Sequence, residues 1–213
     1  MPSFQKLVIL FARYPQPGRC KSRLIPSLGA EGAATIHRQL VAHILTRLKR
    51  FLSSRADIDF SIAYHGGSRL LMQEWIGNDY PFLHQQGNNL GERMAFALNQ
   101  NLENGQDTIL IGSDCPDIDA SILNESFEAL KTHDIVIGPA HDGGYYLIGV
   151  AGHLGPTTCK KLFGNIPWGR DTVFSETIAR TETLRLRSHI LRKLHDIDIA
   201  EDLKYFHHCP HPE

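Results

Sequence analysis

An acidic stretch, residues 112–117, directly follows a short apolar run and reads G-S-D-C-P-D. The run, residues 108–111, is partly β-branched, which predicts a buried strand. Asp114 would then lie at the carboxyl end of a strand, the edge at which open α/β sheets bind ligands. Its carboxylate is suited to hold a divalent metal ion, which in turn would hold the phosphates of a nucleotide. Alternatively, Asp114 and Asp117 shape a turn and Asp119 caps the next helix.

A basic loop follows the N-terminal apolar run, residues 6–12, which predicts a buried parallel strand. Two prolines and Gly18 exclude regular structure there. Four cations fall within eleven residues, namely Arg13, Arg19, Lys21 and Arg23. Such a loop suits phosphate or pyrophosphate, because the backbone approaches closely at glycine and the cations neutralise charge. It is not a Walker loop, since the first glycine of that motif is missing. The alternative is a solvated surface loop.

Two further segments have residues that could contact a ligand. Asn89 and Arg93 lie at the start of a predicted helix, where they face either a ligand or solvent on the first turn. Asp142, Gly143 and Gly144 precede an aromatic and apolar run. A hairpin turn alone explains part of this Asp-Gly-Gly pattern. The glycines would also let the backbone pass close to a ligand, with Asp142 directed into the same space.

Strands and helices alternate along the chain and must position these residues. Apolar runs predict strands over residues 6–12, 58–64, 81–84, 108–111, 134–139 and 184–191. Apolar spacings of three and four predict helices over residues 30–51, 68–75, 122–130 and 172–180, and another from Leu90. In the first helix, His37 and His43 lie off the apolar stripe and are predicted on the surface. Asp198 suits the N-cap of the last helix. Trp168 lies in a loop that could cover a substrate.

Composition limits the possible partners and locations. The chain has 213 residues, which fits one domain over residues 1–213, and a net charge of -1, which excludes a global basic field for nucleic acid. Its four cysteines form no C-x-x-C pair, as expected of reduced thiols. The N-terminal apolar run is too short to span a membrane, so we expect a cytoplasmic protein. Histidines and Cys209 in the tail, residues 207–211, favour adventitious metal binding over a site.

Four phrases, in this order, resemble one bacterial family with the glycosyltransferase-A fold. They are F-A-R-Y-P-Q-P-G-R-C-K-S-R-L at residues 11–24, N-L-G-E-R-M at 89–94, G-S-D-C-P-D at 112–117 and G-P-A-H-D-G-G-Y-Y-L-I-G at 138–149. D-I-D-I-A-E-D-L at residues 196–203 also fits, so the resemblance spans nearly the whole chain. Members are named as nucleotide-diphospho-sugar transferases or glycosyltransferases, some in connection with arsenosugar biosynthesis.

The same phrases are similar, more distantly, to 2-phospholactate guanylyltransferase and the molybdenum-cofactor nucleotidyltransferases. This resemblance implies that Asp114 is the first metal ligand and Asp198 the second. It places the phosphates on three cations of the first loop, Arg13, Lys21 and Arg23. With the residues that the loops and turns themselves indicate, the predicted nucleotide-binding residues are Arg13, Gly18, Lys21, Arg23, Asn89, Arg93, Gly143 and Gly144. The paired glycines that open this loop in nucleotidyltransferases are replaced here by Ala12 and Arg13, which leaves the nucleotide unspecified.

Together these observations predict an α/β fold, a three-layer α/β/α sandwich with a mainly parallel sheet. The expected function is metal-dependent glycosyl transfer from a nucleotide-diphosphate sugar to a small-molecule acceptor. Mg²⁺ or Mn²⁺ would neutralise the leaving diphosphate, and Lys21 would share that charge. Asp142 would orient or deprotonate the acceptor. One alternative is a nucleotidyltransferase that uses a nucleoside triphosphate and releases pyrophosphate. Another is a nucleotide-binding module without turnover.

Overall fold

A seven-stranded sheet runs through the computed structural model, which describes residues 6–206. The strands are β1 (Lys6–Arg13), β2 (Ile58–His65), β3 (Phe82–His84), β4 (Asp107–Ile111), β5 (Ile135–Pro139), β6 (Tyr145–Val150) and β7 (Ser188–Ile190). Their order is β3-β2-β1-β4-β6-β5-β7, and β6 runs antiparallel to both of its neighbours while the other pairs are parallel. The predicted, mainly parallel sheet is therefore confirmed. The prediction for the tail, residues 207–211, lies outside the described residues.

Helices cover both faces of this sheet. They are α1 (Ile25–Leu52), α2 (Arg69–Ile76), α3 (Leu90–Leu102), α4 (Ala120–Leu130), α5 (Pro156–Phe163), α6 (Val173–Thr183) and α7 (Leu203–Phe206). Successive side chains of β1 point to opposite faces, so Val8 and Leu10 join the core under α1, α2 and α4. Leu7 and Ile9 join the core under α3 and α5. The predicted three-layer sandwich is confirmed. Within residues 6–206, no helix has both the length and the apolar character needed to cross a membrane.

The first helix departs from its prediction in two ways. It begins at Ile25, but Gly29 interrupts it with a φ of 69°, so the predicted start at residue 30 marks a kink. His37 and His43 are buried, at 4% and 8% exposure, so their predicted surface position is wrong. Burial is possible because each ring hydrogen-bonds a loop carbonyl, Nε2 of His37 to Arg13 at 2.9 Å and Nε2 of His43 to Pro116 at 3.1 Å.

The C-terminal elements also differ from their predictions. The strand predicted over residues 184–191 is only the three-residue β7, because α6 continues to Thr183 and Arg185 has a φ of 57°. Helix α5 was not predicted at all. Asp198 caps no helix: the carboxylate of Asp202 accepts the backbone N–H groups of Asp198 and Ile199, each at 2.9 Å. The side chain of Asp198 is therefore free for another contact.

Candidate functional site

A cleft of about 860 Å³ opens at the carboxyl ends of β1 and β4, a volume typical of small-molecule sites. The loops after β1 and β4, the β5–β6 turn, the start of α3 and the segment before α7 all contribute to its walls. The cleft brings together most of the predicted site residues, namely Arg13, Lys21, Arg23, Arg93, Asp114, Asp142, Gly144 and Asp198. Gly18, Asn89 and Gly143 do not line it.

Lys21 is held in an uncommon backbone conformation, with φ 48° and ψ 47°. A left-handed residue that is not glycine is strained, and such strain is often found at functional sites. This conformation directs the side chain inward, where only 4% of it is exposed. Its ammonium group donates to Asp114 Oδ1 at 2.8 Å and to the carbonyl of Ile197 at 2.5 Å. Lys21 therefore links the first loop to two other walls of the cleft.

Asp114 lies just beyond β4 and faces the cleft with about half of its side chain exposed, 51%. Burial raises the pKa of this carboxyl, but the Lys21 ammonium lowers it more, with help from His37 and Ser113, so the net pKa is lowered. The backbone carbonyl of Asp114 accepts the N–H of Ile197 at 2.9 Å. This bond places the segment that contains Asp198 beside Asp114, although the two residues are 84 positions apart.

Asp198 pairs with a second cation of the basic loop, since its Oδ2 lies 2.7 Å from Arg23 Nη1. Carboxylate oxygens of Asp114 and Asp198 and the carbonyl of Ile197 are hard oxygen donors, the type that Mg²⁺ and Mn²⁺ prefer. An ammonium group already lies on two of these oxygens, so this donor set suits a cation. Residues 6–206 hold no cluster of three or more side chains able to bind a metal. A metal here would complete its shell with phosphate and water oxygens.

The Asp-Gly-Gly segment forms a hairpin turn, as its structural alternative predicted, and this turn also faces the cleft. Asp142 Oδ1 accepts the N–H of Gly144 at 2.7 Å, which closes the turn between β5 and β6. Asp142 and Gly144 both line the cleft. Gly143 has a different neighbour: a Cβ added to it would lie 2.0 Å from the carbonyl oxygen of Asp171. The glycine is required there for packing against the following loop, and its contact with a nucleotide remains a prediction.

Asp196 is a cleft residue that sequence reasoning missed. Burial, together with the negative charges of Asp142 and Asp198, raises its pKa to about 6. The sequence signal was present in the alternation Asp-Ile-Asp at residues 196–198 around the fully buried Ile197. In an extended segment, residues on either side of a buried one point the same way, so Asp196 and Asp198 belong together.

His37 is the second missed residue. Its Nε2 must donate to the carbonyl of Arg13, because a carbonyl only accepts, so Nδ1 carries the lone pair. Nδ1 is buried and has no hydrogen-bond partner within the described part of the chain. Burial lowers the pKa of His37, although the Asp114 carboxylate opposes this, and the lowered pKa favours the neutral ring. No local pattern in the sequence distinguishes His37 from a surface histidine on α1.

Several cations of the cleft remain available to an anion. The guanidinium groups of Arg13, Arg19 and Arg170 line the cleft and make no hydrogen bond or ion pair with residues 6–206. Arg93 donates from Nε to the carbonyl of Gly87 at 3.1 Å. Unpaired guanidinium groups around a concave site attract phosphate and carboxylate groups. The Asn89 side chain caps α3 by accepting the N–H of Glu92 at 2.9 Å, and its contact with a nucleotide remains a prediction.

An aromatic side chain, that of Trp168, lines part of the cleft. Trp168 packs so tightly on α3 that a Cβ added to Gly91 would lie 2.7 Å from the indole ring. Its ring also meets Tyr145 edge-on, with the centroids 6.4 Å apart. The residues that follow, Gly169 to Asp171, continue along the cleft. The loop that contains Trp168 is therefore fixed to both α3 and the β5–β6 turn.

Residues 48–170, more than half of the chain, match a family described as "Uncharacterized protein conserved in bacteria (DUF2064)". The chain belongs to this family. No curated protein matches the DUF2064 chain. It is 32% identical to a protein from Desulfovibrio desulfuricans G20 that is described as a candidate nucleotide-diphospho-sugar transferase. That comparison covers 96% of this chain and 87% of the other, with a TM-score of 0.85.

Two more distant structures share the fold of this DUF2064 chain. One is CMP:2-keto-3-deoxy-manno-octonic acid synthetase complexed with CTP, at 8% identity and a TM-score of 0.55, with 94% of this chain and 96% of the other covered. The other is Rv0371c from Mycobacterium tuberculosis H37Rv complexed with manganese, at 12% identity and a TM-score of 0.54. It covers 94% of this chain and 97% of the other.

The cleft of this DUF2064 protein therefore combines three chemical elements. Unpaired guanidinium groups can bind an anion, and the oxygens of Asp114, Ile197 and Asp198 can bind a hard cation. Asp142 and Asp196 add two further carboxylates to the lining of the cleft, and the pKa of Asp196 is raised to about 6. A carboxyl group whose pKa is raised by burial and a neighbouring charge is typical of sites that transfer protons.

Proposed function

We propose that this protein is a metal-dependent transferase that moves a glycosyl group from a nucleotide-diphosphate sugar to a small acceptor. The observation that carries the proposal is the pairing, in one cleft, of unpaired cations with two carboxylates brought together from β4 and the segment before α7. The description of the relative that is 32% identical over 96% of the chain supports the same class of donor.

The basic loop is assigned to the donor's diphosphate. Arg13, Lys21 and Arg23 neutralise its charge, and Lys21 is the residue that shares the negative charge developed as the diphosphate leaves. Asp114 and Asp198 would hold Mg²⁺ or Mn²⁺ through their carboxylate oxygens, and phosphate and water oxygens would complete its shell. When bound, the metal supplies Lewis-acid stabilisation of the leaving diphosphate.

Asp142 is assigned to the acceptor, because its carboxylate is exposed on the turn and fixed by the N–H of Gly144. In the transfer, the bond between the sugar carbon and a diphosphate oxygen breaks, and a bond from that carbon to the acceptor oxygen forms. Asp142 accepts the proton of the acceptor hydroxyl, and the nucleoside diphosphate leaves. Loss of this base lowers turnover while donor binding is retained.

Nucleotidyl transfer is the second candidate, and the fold shared with a synthetase complexed with CTP favours it. In that reaction an acceptor oxygen attacks the α-phosphorus of a nucleoside triphosphate and pyrophosphate leaves. The same cations and metal ligands would then neutralise pyrophosphate in place of a nucleoside diphosphate. The two candidates differ in their released product, which makes them separable by one assay.

The decisive experiment measures binding first and product second. Thermal unfolding is followed with nucleoside diphosphates, triphosphates and nucleotide sugars, each with and without Mn²⁺. The proposal expects the largest rise in Tm with a nucleotide sugar and Mn²⁺, and release of nucleoside diphosphate when acceptors are added. Pyrophosphate release from a triphosphate would favour nucleotidyl transfer. Binding without either product across a broad acceptor panel would favour a module without turnover.

A matched pair of variants tests the metal assignment. Asp114→Asn should abolish the mutual enhancement of Mn²⁺ and nucleoside diphosphate binding in isothermal titration, and nearly all turnover. Asp117→Asn removes a carboxylate three residues away that does not line the cleft, and should leave both unchanged. If Asp114→Asn retains full enhancement, the residues after β4 form only a turn and the assignment is wrong.

A further inference from the structure

The Lys21 ammonium lies where a bound metal ion would take its ligands. It contacts Asp114 Oδ1 at 2.8 Å and the Ile197 carbonyl at 2.5 Å, two of the three oxygens assigned above to a metal. Only 4% of the lysine side chain is exposed, so the ammonium has little water around it. The third oxygen belongs to Asp198, which is paired with Arg23 at 2.7 Å. Every acidic ligand of the site therefore already has a positive partner.

A divalent cation and this ammonium cannot share Asp114 at the same distance, because like charges so close repel strongly. Binding of a metal alone must therefore move Lys21 away from a partner without offering it another. A diphosphate changes this, since its oxygens are acceptors for the lysine's three N–H donors. Unpaired guanidinium groups of Arg13 and Arg19 line the same cleft and would draw the diphosphate towards the basic loop.

We propose that Lys21 is an internal cation that occupies the metal site in the nucleotide-free protein and transfers to the diphosphate when the nucleotide binds. The inference rests on the proposed function, since it assigns to Lys21 two successive partners within that site. After the transfer, Asp114 is free for the metal and Lys21 remains paired. Metal and nucleotide then bind cooperatively, because each favours the same position of one side chain.

The left-handed backbone at Lys21 fits this role. At φ 48° it is one of three non-glycine residues with positive φ within residues 6–206. Ser22–Leu24 form a short 3₁₀ turn immediately afterwards, and Gly18, with φ 76°, precedes it in the same loop. A fixed backbone between these turns allows the side chain to change partners by rotating about its own bonds. The Arg23 side chain, 63% exposed, is already largely free to leave Asp198 in the same way.

The test is the affinity for Mn²⁺ alone, measured by isothermal titration in wild type and in Lys21→Met. Methionine retains the length of the side chain but removes its charge. We expect Lys21→Met to bind Mn²⁺ about tenfold or more tightly, because a unit positive charge is removed from contact with a ligand. Its affinity for a nucleoside diphosphate should fall. A lysine that acts only on phosphate predicts unchanged Mn²⁺ affinity, and unchanged or weaker affinity overturns the proposal.

Arg19→Gln is the matched control, since it removes one positive charge from the same loop without touching Asp114. It should change the affinity for Mn²⁺ less than about twofold, as expected of a charge that acts through solvent. An equal gain in Arg19→Gln and Lys21→Met would reduce the effect to net charge and overturn the proposal. The two Mn²⁺ titrations contain no nucleotide. Failure of the proposed function would therefore appear separately, as absence of nucleotide binding.

Chemical labelling of the wild-type protein provides a second readout that does not depend on a folded variant. Reductive methylation of lysines, quantified by mass spectrometry, reports whether Lys21 is paired and buried. Mn²⁺ alone at a saturating concentration should speed labelling of Lys21 relative to Lys49, which lies on α1 away from the cleft. Equal labelling of Lys21 with and without bound Mn²⁺ would show that the ammonium does not leave Asp114, and would overturn the proposal.

Discussion

Gly143→Ala should detach the loop that ends at Asp171 from the β5–β6 turn. Gly143 has a φ of 87°, and an added Cβ would lie 2.0 Å from the carbonyl oxygen of Asp171 and 2.5 Å from its carbonyl carbon. Both are backbone atoms, which cannot rotate away as a side chain does. Gly169 lies in the same loop with a φ of 84°, yet no atom lies within 4 Å of a Cβ added there. Gly169→Ala therefore isolates the cost of positive φ from the cost of the clash.

The expected free energies follow from these two contributions. Positive φ costs an alanine roughly 1–2 kcal/mol, and both variants carry this cost. The clash at Gly143 adds about 1–3 kcal/mol, as overpacking of a well-packed region does. The free energy of unfolding should therefore fall by about 1–2 kcal/mol in Gly169→Ala and by about 2–5 kcal/mol in Gly143→Ala.

Urea unfolding measures both variants, in a Trp75→Phe background so that Trp168 is the only tryptophan. Gly143→Ala should also shift the emission of native Trp168, because the loop that holds the indole against α3 moves. Gly169→Ala should leave the native emission near that of the parent. Equal destabilisation of the two variants, with unchanged emission in both, would refute the close contact between Gly143 and Asp171.

Three further changes test other contacts. Asp196→Asn should stabilise the protein relative to wild type above pH 6 by up to about 3 kcal/mol, and by almost nothing at pH 3. The reason is that the ionised Asp196 carboxylate of the wild type destabilises the folded protein, since burial and Asp142 raise its pKa to about 6. Thermal unfolding of both proteins in metal-free buffer measures this difference. Asp134→Asn should cost about 1–3 kcal/mol at pH 7. Burial raises the pKa of Asp134 but hydrogen bonds from Arg187 lower it more, so this loss should shrink as pH falls through that lowered pKa in urea titrations. Gly91→Ala should destabilise despite its better helix propensity, because its Cβ meets Trp168 at 2.7 Å; a gain in Tm would contradict this.

Strands buried on both faces were predictable because their signal is local. β1 reads as a continuous apolar run since it lies between β2 and β4 with helices on both sides. β7 is a three-residue edge strand, too short for a pattern to mark its ends. α5 was missed because its 8 residues make little more than two turns, of which only Cys159, Leu162 and Phe163 are buried. The prediction of an element's boundaries therefore fails where the element is short and its partners lie far along the chain.

The residues of the cleft likewise divide into those that the sequence predicts and those whose roles depend on tertiary contacts. Lys21 and Asp114 follow predicted strands, so the rule that ligands bind at the carboxyl edge of a sheet selects them without coordinates. The roles of His37 and Asp196 arise from tertiary contacts, a carbonyl of the first loop and the opposed carboxylate of Asp142. Gly143 has a structural role that the sequence did not indicate, because the backbone of Asp171 approaches it closely.

The reversed direction of β6 has a consequence for how this scaffold can be varied. If β6 were parallel to β5, the chain would have to return to the opposite end of the strands before β6 began. Here β6 starts at the edge where β4 and β5 end, so the short turn after Pro139 adds a wall to the cleft without a crossover. This turn is held by local bonds, such as Ala140 N–H to Gly144 O at 3.0 Å, by its contact with the Asp171 loop, and by the His141 N–H, which donates to the Leu194 carbonyl at 3.0 Å. Its exchange between homologous chains would alter the wall of the cleft that contains Asp142 while the strand register remains the same, which makes it a defined graft point for engineering.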